Sequence, residues 1–591
     1  MVQARFHALV VATCAALVLL TNLGGPALWD DDEPKNAACS LAMLDANDWV
    51  VPTFNGRLRI EKPPLANWLQ IAGYTVCGRN ETGARIASAL LTIGTCLLTW
   101  RMGCLLLSPS AGLLGGLVMA TCIWTAVGGR AATPDAPLLF CTTLAFFLFV
   151  REISAARATA GATAGPIRLS TQAACGIGAA CGAAVLAKGP VGVVLPLTAF
   201  VFFACWNRVG LTDSSWRGGL AGLRLPAMLA VAAAVAVPWY AWVSWRTDGE
   251  WLRGFLLVHN FGRFAAPMEG HSGSLLYYPA TIAIGLFPWS IVLLAMLAHA
   301  LGILRSPPGD DRKLPLQLLA SWSLVWVGMF SCAGTKLPGY VWPAYPALAM
   351  LTGLFLDDWV RGRADCVRWC RNPDRALGLV MRVAWSWLAA LGVALVVALP
   401  LAAAFHAPGN EWLGLIGLVP LSAAAWAWRC QTAGQAPRAL ATLAVCACLT
   451  VALVAALAAD RFSRSTGMRS FAAVLEHPEE HCSWACFWNV PPSLVFYLSV
   501  DQIRPELFPG DESPPAARPR VTKLDTAEDV ARHLSSHPRA RLLIDSRHLK
   551  LVTAAIPAHC GVLARIPTLA DHHYVVIGAD LSTAPPLALN D

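Results

Sequence analysis

Thirteen apolar stretches, each close to the length of a membrane-spanning helix, leave this chain few ways to fold. They run 6–24, 84–107, 110–128, 135–152, 171–187, 190–206, 225–245, 275–300, 316–333, 339–356, 383–404, 412–428 and 439–459. About 20 apolar residues cross ~30 Å of hydrocarbon, and a helix is the one open structure that pairs all of its own backbone there. Hydrophobic residues make up 56% of the 591 and charged residues 14%, against about a quarter charged in soluble proteins. The expected fold class is an all-α polytopic membrane domain of about 13 transmembrane helices over 1–459, followed by a smaller unit over 460–591.

Charge placement sets the orientation. Arg5, Arg101, Arg151, Arg157, Arg168, Arg208, Arg305, Arg312, Arg361, Arg363, Arg429 and Arg438 fall in alternate loops, which the positive-inside rule makes cytoplasmic. The net charge of +8 is therefore a topological signal and implies no nucleic-acid partner. Phe6–Leu23 has no small-residue cleavage site and is expected to stay as the first helix. An odd number of spans then puts the loop 29–83, the loop 246–274 and the tail together on the outer face. Most of the 19 cysteines lie in apolar segments as small packing residues. Cys39, Cys77, Cys482, Cys486 and Cys560 lie outside them, with pairing that spacing does not reveal.

The first outer loop carries the densest polar chemistry, opening with Asp30, Asp31, Asp32 and Glu33 and closing on Glu61-Lys62-Pro63-Pro64. Within it, Pro34–Asn47 is expected as an amphipathic helix lying at the membrane interface. Val50–Phe54 is expected to be extended, Asn55-Gly56 to turn, and Leu65–Val76 to form a second interfacial helix. Lys188, ahead of Gly189-Pro190, is expected at the outer face. In the tail, Ser493–Leu498, Ala540–Ile544 and Tyr574–Ile577 read as strands, and Thr526–Ser535 and Ser546–Ala555 as helices, enough for a small α/β domain.

Almost no charge falls in mid-span, so chemistry belongs at the outer surface. Each candidate also has a plain structural reading. Asp32 before Glu33-Pro34 can cap its helix, Lys62 can snorkel, Asp135 can cap the fourth span, and His259 and His271 have no zinc-ligand spacing. Taken together, cations facing a carboxylate cluster suit a lipid-linked phosphate.

These residues also carry a resemblance. The stretch WDDDEPKNAACSLAMLDANDWVVPTFNGRLRIEKPPLANWL, followed in order by ATPDAPLLF, LAKGPVGVVLP, HNFGRF, GLFPW and TKLPGYVWPAYPALAML, resembles the bacterial lipid A aminoarabinose transferases and their relatives in the protein O-mannosyltransferase superfamily. The likeness covers roughly residues 1–360. It implies a GT-C fold, with interfacial helices in the first outer loop and a periplasmic C-terminal domain, in the bacterial inner membrane. The implied activity is inverting sugar transfer from a polyprenyl-phosphate carrier to a lipid, glycan or protein acceptor at the outer face. Carried over by position, Asp32 and Glu33 would be catalytic, and Lys62 and Arg263 would hold the carrier phosphate. Asp135, Tyr340, Lys336 and His259 would line or support the donor cavity. No nucleotide is implied and no metal ligands are assigned, although an acidic pair leaves room for a divalent metal. Where relatives commonly have an arginine and Tyr-Ala-Glu after the acidic pair, this chain has Pro34-Lys35-Asn36-Ala37-Ala38-Cys39, so the later glutamate is absent and Lys35 would stand in for the arginine. A transporter or flippase whose acids bind a coupling ion, and a scaffold recruiting partners through its tail, are the competing readings.

Overall fold

A computed structural model of the chain describes residues 2–29, 32–160, 168–207, 222–267, 271–307, 310–364, 373–466, 483–500, 521–536, 539–567 and 573–579. Every one of the thirteen apolar segments is helical over most of its length. Among the described residues eight helices are long and apolar enough to cross a membrane, or nine if the pair Tyr277–Gly285 and Trp289–Leu304, bent by 119°, is one span. The chain is thus a multi-pass membrane protein. The other segments are shorter or interrupted, for local reasons. The third divides at Cys122 into α5 (Pro109–Thr121) and α6 (Ile123–Gly128), and the tenth opens as a 3₁₀ turn, Pro338–Ala344, before Tyr345–Val360.

Small residues bring the helices together. The helix α4 (Glu81–Leu106) meets α5 so closely that a Cβ on Gly103 would lie 2.6 Å from the Gly112 Cα, the backbone-to-backbone approach that membrane helices use where burial of apolar surface offers no gain. Elsewhere aromatics fill the core. Phe146, on α7 (Asp135–Ala160), stacks on Trp322 of the Lys313–Cys332 helix at 3.7 Å.

The first outer loop is ordered as expected in outline and differs in placement. After α1 (Val2–Leu20) it forms α2 (Asp32–Asp45), a hairpin of β1 (Thr53–Phe54) and β2 (Arg57–Leu58), and α3 (Leu65–Cys77). Asn55 and Gly56 make the turn at φ 48° and 74°, the left-handed pair that a two-residue hairpin demands. The two helices were expected at a membrane surface, but α2 is buried from Glu33 to Leu41 save Lys35. Its small residues Ala37 and Ala38, with Leu41, fit against a helix of the tail, in one cluster with Leu494, Val495 and Leu498. Tyr74 of α3 is buried and donates to the Ala37 carbonyl at 3.2 Å.

The loop 246–274 is largely helical too. Glu250–Arg253 runs into a π-helical segment, Gly254–Gly262, and a last turn, Arg263–Ala265.

The tail builds a five-stranded sheet in the order β4-β3-β5-β7-β6, with β3 Ser483–Phe487, β4 Thr522–Leu524, β5 Ala540–Asp545, β6 Cys560–Pro567 and β7 His573–Ala579. The pairs β3–β4 and β3–β5 are parallel, and β5–β7 and β6–β7 antiparallel. Ser493–Leu498, expected as a strand, lies instead in the helix Pro492–Val500. Proline in its first turn supplies helical φ and needs no N–H partner, and burial of the whole segment erases the periodicity that separates helix from strand. Ala527–Ser536 is helical as expected, and Ser546–Ala555 forms three short helical turns. Helices cover both sheet faces: Pro492–Val500 shares a cluster with Trp484, Cys486 and Val576, and Ala527–Ser536 with Ala485, Leu542 and Val575. Cys39, Cys77, Cys486 and Cys560 are free thiols, and Cys482 lies outside the described residues.

Candidate active site

One open cavity gathers residues from distant parts of the sequence. Lys62 and Glu61 come from the end of the first loop, and Lys188 from the end of α8 (Thr171–Lys188). His259, Asn260, Arg263 and Phe264 come from the π-helical segment and the turn after it. Trp326 and Phe330 come from the Lys313–Cys332 helix, and Thr335 and Tyr340 from the connection that follows it. Three cations therefore face one space whose walls include Phe255, Phe264, Trp326 and Phe330.

Local structure explains how each cation arrives. The chain stops α8 at Lys188 because Gly189 turns at φ 87° and Pro190 follows. Lys188 pairs with Asp135, the first residue of α7, and its ammonium lies 5.0 Å from the Tyr340 ring centroid. Arg263 is held by backbone pairing with the segment after the Lys313–Cys332 helix: Thr335 N–H donates to the Arg263 carbonyl at 3.0 Å, and Gly334 N–H to Phe264 at 2.8 Å. Lys62 has the charges of Lys188, Asp32, Asp135 and Arg263 around it. Burial, helped by the Lys188 cation, lowers the Lys62 ammonium to about 8 against the pull of Asp32 and Asp135. A fixed anion between these cations would relieve that penalty.

Asp32 opens α2 with its side chain exposed, near enough for its charge to act on both Lys62 and Lys188. Glu33 behaves differently and corrects the expectation of a catalytic pair. It is buried, ion-paired to Arg85 at 2.7 Å, and accepts from the backbone N–H groups of Trp29 (2.7 Å) and Ala132 (2.6 Å). Arg85 spends its remaining donors on the carbonyls of Leu23, Pro26 and Ala27. This is a closed, fully bonded joint that ties the first loop and the chain leading into it to α4, with no carboxylate lone pair left over for chemistry.

Lys336 is likewise a structural residue. Its ammonium donates to the carbonyls of Ser331 and Ala333 at 2.8 Å, closing the C-terminal end of the preceding helix. His271 contributes its carbonyl to the Lys336 N–H. Glu61, unlike Lys336, lines the cavity. Burial raises its carboxyl, but the charges of Arg59 and Lys35 outweigh that and hold it at about 2. Lys35 reaches it at 2.7 Å and Arg59 at 3.3 Å. Among the described residues no group of three or more His, Cys, Asp or Glu comes together as a metal site. Glu61, Lys188 and Asn260 thus join the sequence-derived set of Asp32, Lys62, Asp135, His259, Arg263 and Tyr340 in or beside the cavity. The sequence places Lys188 and Glu61 at the outer face without a role, and the Lys188–Asp135 pair joins residues 53 positions apart.

Residues 61–242 match the family model for dolichyl-phosphate-mannose-protein mannosyltransferase. An Aquifex aeolicus protein without an assigned function is 30% identical over 325 residues, covering 55% of this chain and 67% of its own. The undecaprenyl phosphate-alpha-4-amino-4-deoxy-L-arabinose arabinosyl transferase of Pseudomonas aeruginosa is 29% identical over 395 residues, covering 64% of this chain. The match spans 65% of that relative's length, just under two thirds. Among solved structures, ArnT from Cupriavidus metallidurans bound to undecaprenyl phosphate superposes with a TM-score of 0.74 at 22% identity, covering 98% of this chain and 99% of that one. That likeness extends to the sheet-bearing tail, beyond the reach of the sequence motifs. The chain thus shares the fold of that solved transferase over nearly its whole length, and in sequence it is similar to the aminoarabinose transferases.

Proposed function

We propose that this chain moves a sugar from a polyprenyl-phosphate carrier to an acceptor hydroxyl or phosphate at the outer face of the bacterial inner membrane. Thirteen crossings then place the first loop, the cavity and the C-terminal unit together in the periplasm. The observation that carries this reading is the convergence of Lys62, Lys188 and Arg263 on one aromatic-walled cavity beside Asp32. Cations suit a phosphate, apolar walls suit an isoprenoid, and the carboxylate suits an attacking hydroxyl. Relatives named for an undecaprenyl-phosphate aminoarabinose donor support the same choice, and lipid A is one of the acceptors the family resemblance implies, beside other envelope lipids or glycans and protein hydroxyls.

In the proposed step Asp32 accepts the acceptor's proton as its oxygen attacks the anomeric carbon from the side opposite the phosphate. The bond from that carbon to the phosphate oxygen breaks, and the electron pair leaves with polyprenyl phosphate. Lys62, Lys188 and Arg263 stabilise the growing negative charge, with Lys188 held in place by Asp135 and Tyr340. The anomeric centre inverts, and the lipid phosphate is the leaving group, so no nucleotide takes part. The cations invoked here gather around one cavity, whereas a transporter coupled to an ion gradient needs titratable groups along a path. Asp32→Asn tests the reading. Transfer should fall by ~10²–10⁴, the usual worth of a general base, while undecaprenyl phosphate binding persists; a fully active variant would remove Asp32 from the chemistry.

A further inference from the structure

The C-terminal unit is tied to both elements that carry the proposed chemistry. Its helix Pro492–Val500 lies along α2, the helix that begins with Asp32, and Tyr497 Oη donates to Glu81 at 3.2 Å at the start of α4. Its second attachment is at the tip of the hairpin. The Asn55 Nδ2 donates to the Val521 carbonyl at 2.8 Å, and the Asn55 Oδ1 accepts from the Val521 N–H at 3.0 Å. A side-chain amide thus makes both bonds that a neighbouring strand would make to Val521, the fully buried residue just ahead of β4.

From that tip the chain runs through β2 to Arg59, whose guanidinium reaches back to α2 at Asn36 Oδ1 (2.6 Å) and the Lys35 carbonyl (3.3 Å). Trp251 Nε1 fixes the Arg59 carbonyl at 2.8 Å, and Glu61 and Lys62 follow directly. We propose that the C-terminal unit holds Asp32 and Lys62 in register, and that Asn55 is the positioning residue through which it acts on Lys62. This rests on the reading of Lys62 as a holder of the carrier phosphate. Asparagine is suited to the task because it tolerates the φ of 48° and offers a donor and an acceptor together.

The test uses the full-length protein in nanodiscs and undecaprenyl phosphate as probe. Asn55→Gly keeps the turn, since glycine accepts positive φ, and removes only the clamp. Two lost hydrogen bonds should raise the Kd of the folded, monodisperse fraction by about five- to tenfold, with kcat at saturating donor changed less than KM. A merely structural role predicts a lower melting temperature with wild-type Kd, and that result would overturn the proposal. Val521→Pro removes the N–H partner from the other side. The double variant should be no weaker than the worse single one, whereas additive losses would mean that Asn55 does not act through Val521. Lys62→Ala separates the two readings. If it binds as wild type does, the phosphate assignment fails; if it loses binding and Asn55→Gly does not, the positioning role alone fails.

Discussion

Two adjacent carboxylates, Asp32 and Glu33, have opposite fates because consecutive helix residues point about 100° apart. Glu33 turns inward to Arg85 and Asp32 outward toward the cations. Glu33→Ala should therefore cost stability: removing one partner of a buried pair typically costs about 3–5 kcal/mol. A lower melting temperature with normal turnover in the folded fraction checks this; an unchanged melting temperature with lost turnover would return Glu33 to the chemistry. Lys62 gives a pH signature. A bound phosphate favours its charged form and raises its pKa above about 8, so binding is strongest below pH 8 and weakens as pH rises through that value. Titration of undecaprenyl phosphate affinity from pH 6.5 to 9.5 should show that decline, and Lys62→Met should flatten it. The acids, Lys62 and Arg263 were legible because charge is conspicuous in polar loops between apolar spans. Arg85, inside an apolar segment, and the Lys188–Asp135 pair, joined only by the fold, were not.

At the scale of elements, local chemistry predicted the first-loop hairpin well, since Asn55-Gly56 admits few alternatives. It predicted α2 as a helix and misjudged its surroundings. The segment is amphipathic and suits a lipid surface because a sequence shows which face is apolar but not what covers it, and part of the cover comes from residues more than 450 positions away. The same long-range burial hid Pro492–Val500, whose apolar run suits a strand as well as a helix. The fit between the two helices leads to a measurable consequence. Ala38→Phe forces a ring into a contact where Ala38 is 3% exposed, and overpacking of this kind costs about 1–3 kcal/mol. The variant should melt earlier than wild type. Equal melting temperatures would show that this interface is loose.

Over the whole molecule, the end of α8 and two outer loops bring three cations to one cavity, and α2, braced by the tail, brings up the acid. The multi-pass class followed from hydrophobicity alone, and the order of motifs suggested the GT-C family. The number of helices that meet the length and hydropathy of a full span did not follow, because Cys122, the bend before Trp289 and the 3₁₀ turn at Pro338 interrupt continuous apolar runs. The central claim is displacement of a lipid phosphate held by cations on one side while Asp32 activates the acceptor on the other. Purified protein in nanodiscs, given undecaprenyl-phosphate-linked aminoarabinose and lipid A, tests it most directly when product mass and anomeric configuration are both measured. The expected product is lipid A carrying one added aminoarabinose of inverted configuration, with free undecaprenyl phosphate released in equal amount; a retained configuration, or transfer that survives Asp32→Asn undiminished, would contradict the account.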